Sequence, residues 1–265
     1  MTDWWPAYLA IGAAVGFLAG LLGVGGGMVT VPMLVFVFTA KGFPAHHLMH
    51  LSLATAMATI PFTSASSVRA HHVHGGVDWR VVRGMLPGLA AGALLGALVA
   101  GAVPSRPLAI FFTAFVFYAA SNMFFDVRTE ATRQLPGNFG LGIAGAVVSF
   151  LASFLAAGAA FMTIPFMSWC NVPLKRAIGT AAALGFPLSL ASSAGYVYAG
   201  WRVPGLPPGS FGFIYLPALG LIVAMSILTA PWGARVSHAL PVRKLRMVFG
   251  LLLFALALHM LASLW

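Results

Sequence analysis

The chain is a succession of apolar runs broken by short polar turns, and the runs fall into two sets of five. The first set covers residues 4–22, 28–40, 47–73, 81–102 and 107–125; the second covers 139–157, 159–170, 174–199, 211–231 and 245–265. None alternates apolar and polar positions as a half-buried strand would, and most are too long for strands, so the pattern predicts helices. Crossing a hydrocarbon layer of about 30 Å takes roughly 20 helical residues. Runs 28–40 and 159–170 are too short to cross alone, so each is expected to pair with the run before it as a broken helix or re-entrant hairpin. The expected fold is an all-α polytopic membrane protein of about 8 to 10 helical segments. It consists of two repeats, each a broken-helix or re-entrant hairpin plus three transmembrane helices.

The first break reads GVGGGMVTVP, residues 23–32. Each interior glycine costs a helix about 1 kcal/mol relative to alanine, so Gly23, Gly25, Gly26 and Gly27 together interrupt it. No charge occurs between Asp3 and Lys41, which puts the interruption at membrane depth. Irregular backbone there must be buried in protein or line a cavity, because its freed N–H and C=O groups need partners. A soluble phosphate loop is excluded: no Gly-Lys-Ser/Thr follows and no strand pattern precedes.

The two sets match in sequence as well as in order. GGGMVTVPML (25–34) aligns with GAAFMTIPFM (158–167), sharing Gly25/Gly158, Thr30/Thr163 and Pro32/Pro165; IPFTSASS (60–67) aligns with FPLSLASS (186–193), and MLPGL (85–89) with YLPAL (215–219). This predicts a first transmembrane repeat over 1–125, a linker over 126–138 and a second transmembrane repeat over 139–265. Charge sets the relation between them. With a hairpin and three crossings per half, one side collects Arg69, Arg80, Arg83, Arg128, Arg133, Lys175, Arg176, Arg235, Arg243, Lys244 and Arg246, against Lys41, Arg106 and Arg202 on the other. Four crossings per half would leave no bias. Positive residues gather on the cytoplasmic side, so the repeats are expected to be inverted, with both termini outside and the linker in the cytoplasm. Inverted repeats meeting at discontinuous helices describe a secondary transporter.

Composition agrees and removes other classes. Hydrophobic residues make up 60% and charged residues 7%, against about 25% charged in soluble domains. The first run has no basic segment before it and is expected to be retained rather than cleaved as a signal peptide. The single cysteine, Cys170, excludes an intrachain disulfide. A net charge of +10 reflects loop residues facing anionic headgroups and not nucleic acid. No nucleophile, base and carboxylate constellation lies within the runs, so no enzyme and no cofactor are expected.

The candidate chemistry is that of an anion carrier. The only acidic residues are Asp3, Asp78, Asp126 and Glu130, all outside the runs, so no buried carboxylate is present to bind sodium or relay protons or to repel an anion. Attraction would come from N–H groups and helix N-termini at the breaks. The substrate-binding candidates are Gly25, Gly26, Gly27 and Gly158 at the breaks, Thr30 and Thr163 beside them, Thr55 and Thr180 in the small-residue motifs SLATA (52–56) and IGTAAA (178–183), and Ser66, Ser67, Ser192 and Ser193 in the repeated Ala-Ser-Ser. Helix-helix packing is the competing use of every hydroxyl among them. The alternative function is transition-metal transport through His46, His47 and His50, with an i,i+4 spacing between the first and last, and His71, His72 and His74. The second half has no counterpart. Small-residue faces such as 88–101 suit packing within a subunit or between subunits of a homo-oligomer.

The cluster closing in Pro32, its second copy closing in Pro165, and the two Thr motifs together resemble the TauE/SafE family of sulfite exporters over nearly the whole chain. The resemblance implies a bacterial inner-membrane permease for small sulfur-containing anions such as sulfite, sulfoacetate and related organosulfonates. The second copy departs from the first, with Ala159 and Ala160 in place of Gly26 and Gly27.

Overall fold

A computed structural model describes residues 4–22, 26–73, 75–125, 133–239 and 242–263. Among them are ten α-helices: α1 Trp5–Leu22, α2 Gly27–Ala40, α3 Leu48–Val73, α4 Trp79–Ala102, α5 Ser105–Phe125, α6 Asn138–Leu155, α7 Ala160–Trp169, α8 Leu174–Gly200, α9 Leu216–Ala239 and α10 Val242–Ser263. A 3-10 turn, Ala45–His47, precedes α3, and two-residue strands, β1 Ser210–Phe211 and β2 Ile214–Tyr215, form an antiparallel hairpin before α9. The helices follow the apolar runs, with breaks between α1 and α2 and between α6 and α7 where glycine and small residues cluster.

Among the described residues four helices have the length and hydropathy to cross a bilayer: α4, α6, α8 and the Leu216–Gly233 part of α9; α1, α2 and α10 contain shorter apolar stretches. The sequence placed α6 as one arm of a hairpin, yet by itself it is long enough to span. At 1.5 Å per residue, α7 extends only about 15 Å and cannot.

Small residues decide which helices touch. Gly12, Gly16 and Gly20, one turn apart on α1, face Ile222, Ser226 and Ala230 of α9 so closely that a Cβ on any of them would collide. Gly84, Gly88, Gly92 and Gly96 of α4 meet α6 in the same manner at Leu141, Gly142, Ala146 and Phe150. Both pairs run parallel and pack backbone to backbone, the geometry that small-xxx-small stripes permit where lipid supplies no hydrophobic drive. The stripe in 88–101 is therefore spent inside the subunit. The third helices α3 and α8 pack on one another, α4 also packs on α8 and α9 on α3, and α5 pairs with α10.

Neither short helix leads away to the opposite face. Tyr8 near the start of α1 contacts Phe38 near the end of α2, with ring centroids 6.4 Å apart. Arg133, just before α6, donates its N–H to the carbonyl of Trp169 at the end of α7 and lies 4.5 Å above its ring. The end of α2 thus lies beside the start of α1, and the end of α7 lies against the residues that precede α6.

Candidate functional site

The second helix starts at the glycine cluster, with Gly26 as the N-cap of α2 at φ −72° and ψ 1°. Its carbonyl accepts from the N–H groups of Val29 and Thr30 and from the Thr30 hydroxyl, at 3.1, 2.9 and 2.8 Å. The other break repeats the device. The Ala159 carbonyl accepts from Thr163 N–H at 2.9 Å and from its hydroxyl at 2.6 Å. At both starts the acceptor is occupied by its own helix. Remaining N–H groups of the first turn have no intrahelical partner and carry the positive end of the helix dipole.

The two breaks touch. Gly27 lies against the carbonyl oxygen of Ala156, which a Cβ would strike, and such a Cβ would be 3.3 Å from Cδ1 of Ile60 on α3. Ala156 ends α6 in the left-handed region at φ 43°, a conformation unusual for a residue with a Cβ. Gly26 packs on Val15 of α1; its φ is negative, so the demand for glycine there comes from space and not from backbone sign. Thr30, Thr163 and Ala156 are wholly buried and Ala159 nearly so, as is Gly158. Pro61 lies within α3 one residue beyond Ile60, and the Ser64 hydroxyl donates to the Pro61 carbonyl at 3.3 Å.

Gly26, Gly27 and Gly158 belong to this junction, with Thr30 and Thr163 one turn into their helices. Gly25 and the side chain of Ser66 lie outside the described residues. Thr55 and Thr180 lie elsewhere, in a crossed pair of contacts. The Thr55 hydroxyl on α3 accepts from Tyr215 N–H at 3.0 Å, just before α9, and the Thr180 hydroxyl on α8 accepts from Asp78 N–H at 2.9 Å, just before α4. Ser192 donates to Ser153 Oγ at 2.9 Å, and Ser153 lies within reach of the Ala93 carbonyl at 3.0 Å and the Ser149 carbonyl at 2.9 Å. Tyr196 caps this cluster by donating to the Ser153 carbonyl at 2.9 Å. Ser67 and Ser193 are half-buried, and Ser193 Oγ has no hydrogen-bond partner. The sequence reading missed Ser149 and Ser153; their i,i+4 spacing in an otherwise apolar run was the available signal.

Among the described residues no group of three His, Cys, Asp or Glu side chains is placed to hold a metal ion. Helix α3 begins only at Leu48, so His46 and His47 are in the 3-10 turn and the expected i,i+4 helical face does not form. The His50 ring stacks on Phe213 at 4.9 Å and its Nε2 lies 2.9 Å from the Val103 carbonyl. His72 accepts from the Trp79 indole at 3.2 Å; His74 lies outside the described residues. Burial, reinforced by the neighbouring His46 and His50, lowers the pKa of His47 below the ordinary 6.5, partly offset by the Pro204 carbonyl. The unfolded chain therefore takes up the proton first, and stability falls as pH drops below 6.5. A melting curve in detergent should shift downward between pH 7.5 and 5.5, and less so in His47→Gln.

A sulfite exporter TauE/SafE family model matches residues 8–260. The chain belongs to the TauE/SafE family. A probable membrane transporter protein of Haemophilus influenzae is 33% identical over 95% of this chain and 96% of its own length. A probable membrane transporter protein of Methanocaldococcus jannaschii is 22% identical over 97% and 95%. No solved structure matches significantly. This TauE/SafE chain is thus a multi-pass membrane transporter and not an enzyme.

Proposed function

We propose that this TauE/SafE protein carries small sulfur-containing anions, sulfite, sulfoacetate or related organosulfonates, across the bacterial inner membrane, binding them where the two helix breaks meet. The observation that carries the reading is the contact of Gly27, at the start of α2, with the carbonyl of Ala156 at the end of α6, four residues before α7 begins, while the Gly26 and Ala159 carbonyls are occupied by their own helices. Donor N–H groups and two dipole ends suit an anion, and Asp78, the one acidic residue among those described, caps α4 through Arg80 and Val81 N–H. The binding set is the Gly25–Gly27 tip and Gly158, with Thr30 and Thr163 holding the carbonyls aside.

The crossed helix pairs support two inverted repeats, 1–125 and 139–265, joined by a linker over 126–138: α1 with α9 answers α6 with α4, and Thr55 with Tyr215 answers Thr180 with Asp78. Hairpins that return to their starting side leave three crossings per half, the parity that sorts eleven basic residues onto one face and three onto the other. Both termini are then periplasmic.

Uptake into proteoliposomes tests the reading. Labelled sulfite and sulfoacetate should accumulate and nickel should not, and a sodium gradient should not drive concentrative uptake, since no span holds a carboxylate. Nickel uptake without anion uptake would overturn it. Tags at both termini should report the periplasm and a tag at 128–133 the cytoplasm; termini on opposite sides would sink the inverted repeats.

A further inference from the structure

On the face poorest in basic residues, one lysine is held in an aromatic box. Lys41 follows α2 and is half-buried. Its Nζ donates to the Tyr215 hydroxyl at 2.7 Å and lies 4.9, 5.2 and 5.8 Å from the ring centroids of Tyr215, Phe43 and Tyr8. Cation–π attraction fixes the ammonium at these distances but accepts none of its protons as a counter-ion would. The Tyr215 oxygen already accepts from Lys41, so its own proton points elsewhere. Tyr8 is 2% exposed and its hydroxyl has no hydrogen-bond partner. Beyond the one N–H that Lys41 gives to Tyr215, the ammonium and the two phenols offer donors with no acceptor among the described residues, and a buried unpaired hydroxyl is costly unless something pairs with it.

We infer that Lys41, Tyr8 and Tyr215 form a second anion site, a vestibule distinct from the helix breaks, whose ligand is a small free oxyanion. An oxyanion has several acceptor oxygens and a charge opposite to that of Lys41, which meets all three donors at once. Lipid phosphate shares that chemistry, and the half-buried position favours the smaller free solute. Tyr215 also links the site to the membrane interior, because its N–H is held by Thr55 on α3.

The chain has three lysines, Lys41, Lys175 and Lys244, so protein labelled with carbon-13 at lysine Cε gives three resonances in uncharged maltoside micelles, and Lys41→Arg assigns one by its loss. Titration with sulfite or inorganic phosphate should move the Lys41 resonance saturably while Lys175 and Lys244 stay in place. Tyr8→Phe should weaken the apparent affinity about tenfold, the scale of one hydrogen bond to a charged group. The titration is repeated in Asp3→Asn, so that the carboxylate five residues before Tyr8 in the sequence is removed from the comparison. No Lys41 shift in either background, or three equal shifts that follow ionic strength, would overturn the inference. So would a shift with short-chain phosphatidylglycerol and none with free anions, which would make the box a headgroup clamp. Gly26→Val should leave the Lys41 titration intact. If Lys41 titrates while wild-type liposomes take up no sulfite, the vestibule stands and the transport reading is the one that fails.

Discussion

Replacing Gly27 by alanine is expected to abolish anion transport while leaving an inserted, folded protein. The added Cβ points at the Ala156 carbonyl oxygen, which is backbone at the end of α6 and cannot rotate away as a side chain can. Overpacking of this kind costs about 1–3 kcal/mol, which many long packed helices can absorb. On the proposed reading the junction cannot, because its N–H groups must stay placed to hold the anion. Misplacing a positioned group by about 1 Å costs on the order of a hundredfold in rate. Gly26→Val should behave similarly, although its obstacle is a methyl of Val15 that has some freedom to move. Ala159→Gly, at the matching place in the other break, removes a buried methyl without obstructing anything and should be tolerated. Uptake in proteoliposomes, with membrane insertion and melting temperature measured alongside, separates the outcomes. Wild-type uptake in Gly27→Ala would remove the helix breaks from the pathway.

The double change Thr55→Val with Thr180→Val should destabilise the fold strongly. Each hydroxyl accepts a backbone N–H that starts the fourth helix of the other half, Tyr215 before α9 and Asp78 before α4. Valine keeps the shape and removes the acceptor, leaving a donor unpaired at about 1–3 kcal/mol per site. The sites sit before different helices, with no shared partner, so their effects should add, to roughly 2–6 kcal/mol. Serine at both positions retains the oxygen and should recover most of the loss. Unfolding in mixed micelles reads the stability, and the Michaelis constant for sulfite tests the substrate role that the small-residue Thr motifs suggested. An unchanged melting temperature with a raised constant would return both threonines to the binding site.

The ordering of apolar runs, the interruption at 23–27, the family and the scarcity of acidic residues were all legible in the chain, because each depends on local composition. Length and hydropathy determine what can enter a bilayer, four adjacent glycine and small positions determine where a helix stops, and a carboxylate that is not encoded cannot be placed by folding. The partners of the polar groups were not legible. Thr30 and Thr55 look alike in sequence, as single hydroxyls within apolar stretches, yet one secures the carbonyl at its own helix start and the other receives an N–H from residue 215. The same holds for the glycines: Gly27 guards the junction whereas Gly12, Gly16 and Gly20 serve only to bring α1 against α9. HHxxH spacing suggested a helical face until the start of α3 at Leu48 placed two of its three rings in a 3-10 turn. Hydrogen-bond partners and close approaches join residues more than a hundred positions apart, and only the crossed packing of the two halves decides which of them meet.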